Sequence, residues 1–336
     1  MSNVPNILFF AAKSETGHEN SIAIPCTEGM PSIFRVTSID CQQKDHCVLY
    51  RAHLFHEQAS LTVEWARNQQ DTRIRPFCLV SPRWNIRPVS HQGALQISRL
   101  VLMEHPVPEE NLFKTVPYGW VKNRDLIKQA SELVEKLPRP YRFLFNAIFW
   151  NGERFRRYCT GPSSMNAHHN FDNGNLIHSV QLASWMRDSI RHPDSAKHSL
   201  AVLVGLLHDA GKADEYQLTP AGGWKLTDRG KLLGHKVTII EWIAVAHDRY
   251  KLHSLPTEHY MALLHCLTSH AHAPEWMGIR RPTMAEAILL SGLDQASGQL
   301  ELMARCTPEK PGWGRYHKNL RGGQPYQPNP LNEPQA

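Results

Sequence analysis

The chain lacks several things that would narrow its function from the start. No apolar run approaches the length needed to span a bilayer, so a membrane role is not expected. The opening stretch, residues 1–17, has no basic start and only a short apolar patch, so it does not read as a signal peptide. Seven cysteines stand at 26, 41, 47, 78, 159, 266 and 306, with no C-x-x-C pair among them. An odd, scattered set does not suit a disulfide framework, and a reducing cytoplasm is the expected setting. No internal repeat is visible. Neither charge sign dominates: 37 Lys and Arg face 31 Asp and Glu, for a net charge of +6. That balance permits a polyanionic partner without demanding one.

Histidine is what the chain has in excess. There are 20, many of them between 168 and 272. Imidazole is the commonest side-chain ligand for metals and a frequent acid–base group, so this stretch is where chemistry is expected.

With 336 residues the chain is long enough for two domains with separate cores. Residues 1–30 form a lead-in. From 31 to 118 the texture is β: Ser32–Val36, Cys47–Leu54 and Ser60–Trp65 alternate in polarity, and Pro76–Val80 and Gly93–Met103 are further strands. Five short strands in under 100 residues suit a small barrel or sandwich, and an OB-fold has that size. After Gly119 the pattern turns helical up to 306. Asn123–Leu137 puts Leu126, Ile127, Ala130, Leu133, Val134 and Leu137 on one stripe, and Pro138 stops it. Ser199–Leu207 is apolar almost all round and reads as a buried helix. Thr283 to Glu286 has capping-box spacing and marks a helix start. Residues 307–336 are rich in Pro and Gly and read as a flexible tail. The expected class is therefore α+β and multidomain, with an OB-like β-barrel followed by an all-α domain.

A set of polar residues falls on otherwise apolar helix faces. His178 shares a face with Leu182 and Trp185, Asp294 shares one with Leu290 and Ala287, and His208-Asp209 directly follows the apolar run. A single histidine on such a face is ordinarily a hydrogen-bonded core residue. An inward Asp, however, is costly to bury unless it is paired or metal-bound. Imidazoles and carboxylates from different helices can jointly surround one or two cations. Mixed nitrogen and oxygen ligation suits Mn, Fe, Co, Ni, Zn or Mg.

The order His178, His208-Asp209, Asp294 resembles the H…HD…D signature of the HD superfamily of metal-dependent phosphohydrolases. The match is closest to the YhaM-type exoribonucleases, which combine an OB domain with an HD domain. His168-His169-Asn170-Phe171, then Gly174 to His178, carry its first part. Leu206 to Lys212, Glu215-Tyr216, Leu218-Thr219-Pro220 and Gly230 to His235 carry the second. Ser269-His270, Glu275, Glu286 to Leu289 and Asp294 carry the third. The resemblance covers roughly 140–300.

It implies that His178, His208, Asp209 and Asp294 hold one divalent metal. Asp209 would bridge to a second metal held by His235 and His270. Lys212 would approach a phosphate oxygen, and His168 and His169 would contact substrate. Where this family often has Ser-His-His-Gly, the chain has Ser269-His270-Ala271-His272, so His265 and His272 stay open as second-metal ligands. Asn175 stands in place of a family glycine.

The leader mixes Arg35, Arg51, Arg67, Arg73, Arg75, Arg83 and Arg87 with Phe34, Tyr50, Trp65, Phe77 and Trp84, a composition compatible with binding single strands. The expectation is a metal-dependent phosphodiesterase acting on single-stranded RNA or DNA as a 3′-5′ exonuclease, cytoplasmic, with homo-oligomerisation left open. Two rivals are a phosphohydrolase of small nucleotides and a nucleic-acid-binding regulatory or mobile-element protein whose HD site is structural.

Overall fold

The computed structural model describes residues 22–23, 29–69, 71–85, 89–91, 93–165, 171–190, 195–273 and 275–331. The chain divides into two compact units, with boundaries at 159/160, 241/242 and 254/255. No helix among the described residues is long and apolar enough to cross a membrane.

The first unit opens with strands β1 (Ile22–Ala23), β2 (Phe34–Gln43), β3 (Val48–His56), β4 (Ala59–Arg67), β5 (Leu79–Trp84), β6 (Val89–His91) and β7 (Ala94–Leu102). β2, β3 and β4 form an antiparallel meander, β4 pairs with β7 in parallel, β7 with β5, and β5 back with β2. That circuit of five strands closes a barrel, in keeping with the OB-like barrel expected. The fourth strand starts later than its sequence pattern suggests. Arg75, Phe77 and Cys78 instead make a turn in which the Phe77 N–H donates to Val36 O.

The barrel core takes Phe34, Val36, Tyr50, Leu54, Val63, Trp65 and Val80. Tyr50 and Trp65 lie opposite one another on β3 and β4 and stack with ring centroids 4.9 Å apart. Three of the aromatics considered for strand binding, Phe34, Tyr50 and Trp65, are thus buried. Arg35 is buried with them.

Helices α1 (Arg124–Glu135), α2 (Arg139–Phe149) and α3 (Gly152–Thr160) follow. Asn123 caps α1 by accepting the Leu126 N–H at 3.2 Å, which fixes its start where the amphipathic stripe begins. Phe113, Phe145, Phe149, Phe155 and Tyr158 pack ring on ring beneath these helices.

The second unit contains α4 (Gly174–Ser189), α5 (Ser195–Leu207), the single turn α6 (Lys212–Glu215), a ribbon of β8 (Tyr216–Leu218) and β9 (Trp224–Leu226), and α7 (Asp228–Leu232). Then come α8 (Gly234–Arg249), whose C-terminal part belongs to the first unit, α9 (Thr257–Thr268) and α10 (Ala285–Cys306). As its composition requires, α5 is the buried helix: Ala201, Leu203, Val204, Leu206 and Leu207 are fully enclosed. Gly205 lets α4 and α5 approach closely, since a Cβ there would stand 2.5 Å from the Ala183 Cα. The start of α10 differs from the expected capping box. Its N-cap is Met284, whose thioether offers no oxygen to cap with, while Thr283 sits one residue before it and is turned to the His265 ring. Beyond α10 the chain has more structure than a tail: β10 (Gly312–Trp313) pairs with β11 (Tyr326–Gln327), and Leu320 is buried.

Candidate metal centre

Three connections bring the site together within the second unit. α4 carries His178, the turn after α5 carries His208 and Asp209, and α10 carries Asp294. The close α4–α5 packing at Gly205 sets the first two elements against one another. His178 is completely enclosed, and His208 and Asp209 are buried. The half-exposed member is Asp294, whose side chain is 46% accessible.

Their donor atoms converge. The His178 Nε2 lies 3.1 Å from His208 Nε2, 3.5 Å from Asp209 Oδ2 and 3.1 Å from Asp294 Oδ1. His208 Nε2 lies 3.4 Å from Asp209 Oδ2 and 4.0 Å from Asp294 Oδ1. Ligands about 2.1 Å from a common ion stand about 3.0 Å apart in an octahedron and about 3.4 Å apart in a tetrahedron. The edges among His178, His208 and Asp209, 3.1–3.5 Å, lie close to those values, and these three residues form a buried group able to hold a metal ion.

The ring orientations suit the same purpose. The His208 Nδ1 lies 2.8 Å from Gly205 O. A carbonyl only accepts, so Nδ1 carries the proton, and neutral His208 turns a lone pair at Nε2 toward the cluster. His178 Nδ1 is 3.3 Å from the Ser297 hydroxyl, which can play the same part. Gly205 therefore serves twice, as a small residue at a helix crossing and as the carbonyl that orients a ligand.

Electrostatics keep the carboxylates charged. Burial opposes ionisation of Asp209, but the Lys212 ammonium and the His208 ring beside it outweigh that and hold its carboxyl well below the usual range. Asp294 is also lowered: burial pushes up, and the contact with the His178 ring, with His208 nearby, prevails. Burial works against protonating His208, yet Asp209 and Asp294 leave its pKa raised. A site rich in buried, ionised acceptors is one that favours bound positive charge.

Asp209 reaches in two directions. Its Oδ2 belongs to the cluster above and lies 2.5 Å from the Lys212 Nζ, while its Oδ1 lies 3.4 Å from the His235 Nε2. His235 is in turn held by Glu215, whose Oε2 is 2.8 Å from Nδ1. This carboxylate–imidazole pairing is how metal-ligating histidines are commonly oriented. Gly211 makes the approach possible: a Cβ there would stand 2.1 Å from the His235 carbonyl oxygen. The Gly211-Lys212 dipeptide thus brings α8 and its histidine against the His-Asp turn.

No family model matches the chain, and no solved structure matches it significantly. Among curated proteins, it is similar to the 3′-5′ exoribonuclease YhaM of Bacillus licheniformis, at 27% identity over 231 residues. The YhaM proteins of Bacillus pumilus and Bacillus subtilis are each 26% identical over 231 residues. These matches support a YhaM-type assignment. Each covers 68% of this chain and 66% of the relative, so the chain spans just under two thirds of the length of the YhaM proteins it matches.

Of the residues the YhaM-type resemblance points to, the structure gathers His178, His208, Asp209, Asp294, Lys212 and His235. It does not gather His270, which lies past the end of α9. The His270 Nδ1 accepts the His272 N–H at 3.2 Å, and its backbone N–H donates to Arg280 O. His265 is committed elsewhere, its Nε2 accepting the Thr283 N–H at 3.0 Å. His168 and His169 lie outside the described residues. Two members of the site escaped reading by spacing alone. Glu215 stood in the matched motif without a role, and Ser297 lies one helical turn after Asp294, on the same side of α10. The signal for Ser297 was that i+3 spacing on an inward face.

Proposed function

We propose that this chain is a metal-dependent phosphodiesterase of the HD superfamily that degrades single-stranded nucleic acid, RNA foremost, from its 3′ end. The observation that carries the reading is the convergence of His178 Nε2, His208 Nε2 and Asp209 Oδ2 within 3.1–3.5 Å of one another, with Asp294 Oδ1 3.1 Å from the first and 4.0 Å from the second. Phosphodiester chemistry and 3′-5′ polarity follow from the YhaM relatives, which are named 3′-5′ exoribonucleases. In this reading residues 31–118 bind the strand and 119–306 form the HD domain.

His178, His208, Asp209 and Asp294 would hold one divalent cation, with Mn, Mg, Co, Ni and Fe all compatible with the donor set. Asp209 Oδ1 and His235 would hold a second, with His270 joining if the segment after α9 closes on it. Such cations supply Lewis acidity at the scissile phosphate and a lowered pKa for water. The remaining work belongs to side chains. Asp209, kept ionised by its neighbours, offers one oxygen to each side. Glu215 fixes the His235 ring. Lys212 is largely buried, with Ser163 Oγ 3.4 Å from its ammonium, and is placed to donate to a non-bridging phosphate oxygen. Water exclusion around His178 strengthens these interactions.

The test pairs metal analysis with a nuclease assay. Labelled single-stranded RNA and DNA are incubated with Mn, Mg, Co or Ni and with the wild type or Asp209→Ala. Shortening from the 3′ end by the wild type, with loss of both metal and activity in the variant, is expected. Equal degradation by the two proteins, or a wild type that binds no divalent metal, would overturn the site assignment.

A further inference from the structure

The arginines of the first unit fall into two groups. Most are spoken for. Arg51 pairs with Glu64 at 3.3 Å, Arg73 with Asp71 and Glu104 at 3.0 Å each, and Arg139 with Glu109 at 2.8 Å. Arg67, Arg83 and Arg99 form no ion pair among the described residues, and all three are exposed.

Their placement is unusual. Arg83 on β5 and Arg99 on β7 are direct partners in the antiparallel ladder, so both side chains leave the same face of the barrel at adjacent positions. Like charges set directly opposite each other destabilise a sheet. The ladder also changes register here. Arg83 pairs with Arg99 but Trp84 pairs with Ile97, which leaves Ser98 as an extra residue in β7. The Ser98 hydroxyl donates to Arg83 O at 2.8 Å and ties the bulge down. Bulges re-aim side chains, and this one sits directly beside the charged pair. Next to it lies an open hollow of about 560 Å³, lined by Arg67, Arg73, Arg99 and His105 among others. Its two carboxylates, Asp71 and Glu104, are those already taken by Arg73.

We propose that Arg83 on β5, Arg99 on β7 and Arg67 at the end of β4 form a phosphate-binding track on the outside of the barrel, and that its occupant is the backbone of the single-stranded RNA substrate. This rests on the nuclease reading above and names the residues of the first unit that hold the strand. A guanidinium offers paired N–H donors that match two phosphate oxygens, and an anion between Arg83 and Arg99 removes the repulsion the ladder imposes. Tyr50 and Trp65 are spent on one another in the core and offer no stacking face. Recognition of phosphates by guanidinium groups makes the track indifferent to base sequence and sensitive to salt.

The experiment measures binding of a fluorescent single-stranded RNA by anisotropy across a salt series, with EDTA present so that cleavage plays no part. The proteins are the full chain as wild type, the double variant Arg83→Gln/Arg99→Gln, and Arg83→Lys/Arg99→Lys. Removing a like-charge pair should leave the melting temperature unchanged or raise it. The glutamine variant should bind RNA on the order of tenfold more weakly at moderate salt. The slope of log K against log salt should fall by about 1.4, from two lost contacts at about 0.7 each. The lysine variant should keep most of the slope. With metal restored, the glutamine variant should hydrolyse a small chromogenic diester as the wild type does. Unchanged affinity and slope in the glutamine variant, or a wild type that binds no RNA, overturns the track. Failure of the nuclease reading shows separately, as a wild type that binds RNA with the expected slope but never cuts it.

Discussion

The two units each bury a formal charge, and they treat it in opposite ways. In the first, Arg35 is fully enclosed and met by neutral groups. Its Nε donates to Thr115 Oγ1 at 3.0 Å, Nη2 to the same oxygen at 2.8 Å, and Nη1 to Phe77 O at 2.7 Å. Its plane lies 5.2 Å from the Trp120 ring and 5.1 Å from Phe155. Burial draws its pKa down to about 10, so it stays a cation at neutral pH. The bond to Phe77 O also helps hold that residue at φ 75°, a conformation rare for a bulky side chain. In the second unit, Asp209 is enclosed by three imidazoles and an ammonium, those of His178, His208, His235 and Lys212. A charge satisfied by carbonyls, a hydroxyl and aromatic faces is architecture. A charge ringed by imidazoles, an ammonium and a second carboxylate has partners that an added cation can recruit, and that is the mark of a chemical site.

The sharpest way to break this comparison is to neutralise the two charges without changing their size. Asp209→Asn should lower nuclease activity by roughly 10³-fold or more while leaving thermal stability near that of the wild type, because the site loses a ligand rather than packing. Steady-state kinetics beside calorimetry would check it, and a large fall in melting temperature with activity retained would reverse the assignment of roles. Arg35→Met should do the converse. It strands Thr115 and Phe77 acceptors in the core, at a cost of about 3 kcal/mol by urea unfolding, with metal content per chain unaltered. A neutral Arg35→Met would mean that its hydrogen bonds contribute nothing net.

A smaller effect separates the two sides of Asp209. Glu215→Gln keeps the hydrogen-bonding shape around His235 but removes the charge that orients and strengthens it. Metal titration should show the weaker of two binding events losing roughly 10–100-fold in affinity, with the tighter one unaffected. If both weaken equally, His235 belongs to the same ion as His178 and His208.

The smallest effect concerns His56, a buried histidine in the barrel. Burial, with Lys114 nearby, depresses its pKa from 6.5 to about 4. The unfolded chain takes up a proton between those values and the folded one does not, so stability from this group is full above pH 6.5 and is lost as pH falls toward 4. The margin of the wild type over His56→Gln in urea unfolding should therefore grow from pH 4 to pH 6.5, by on the order of 2 kcal/mol once the partial solvation of the ring is allowed for. A margin that stays constant would show that the imidazole is protonated within the fold.

Much of this was legible in the chain. The alternating runs marked the barrel strands, since a half-buried strand imposes a period of two on its residues. The amphipathic run from Asn123 and the stop at Pro138 framed α1 within two residues. His178, His208, Asp209 and Asp294 stood out because polar side chains on apolar faces demand a partner. Other features were not legible. Thr283 had the spacing of a helix cap, and only packing showed it spent on the His265 ring. The tail had the composition of a linker, yet it folds a short ribbon against the end of α10, where the Arg315 N–H donates to Cys306 O. Phe34, Tyr50 and Trp65 had the composition of a strand-binding surface, and alternation alone did not say which face of each strand would be the inside.

What the sequence determined by itself was therefore local: which residues alternate, which helices are buried, which polar groups face inward. What only the tertiary structure decided was which of those groups meet. Donor atoms on α4, on the turn after α5 and on α10 are separated by as many as 116 residues in the chain and by 3.1 Å in space. The approach of α4 to α5 depends on Gly205, and that of His235 to the His-Asp turn on Gly211, since a side chain at either would collide with backbone across the gap. Periodicity is a property of each segment alone. The distance between segments is set by what fits between them, and no segment carries that information by itself.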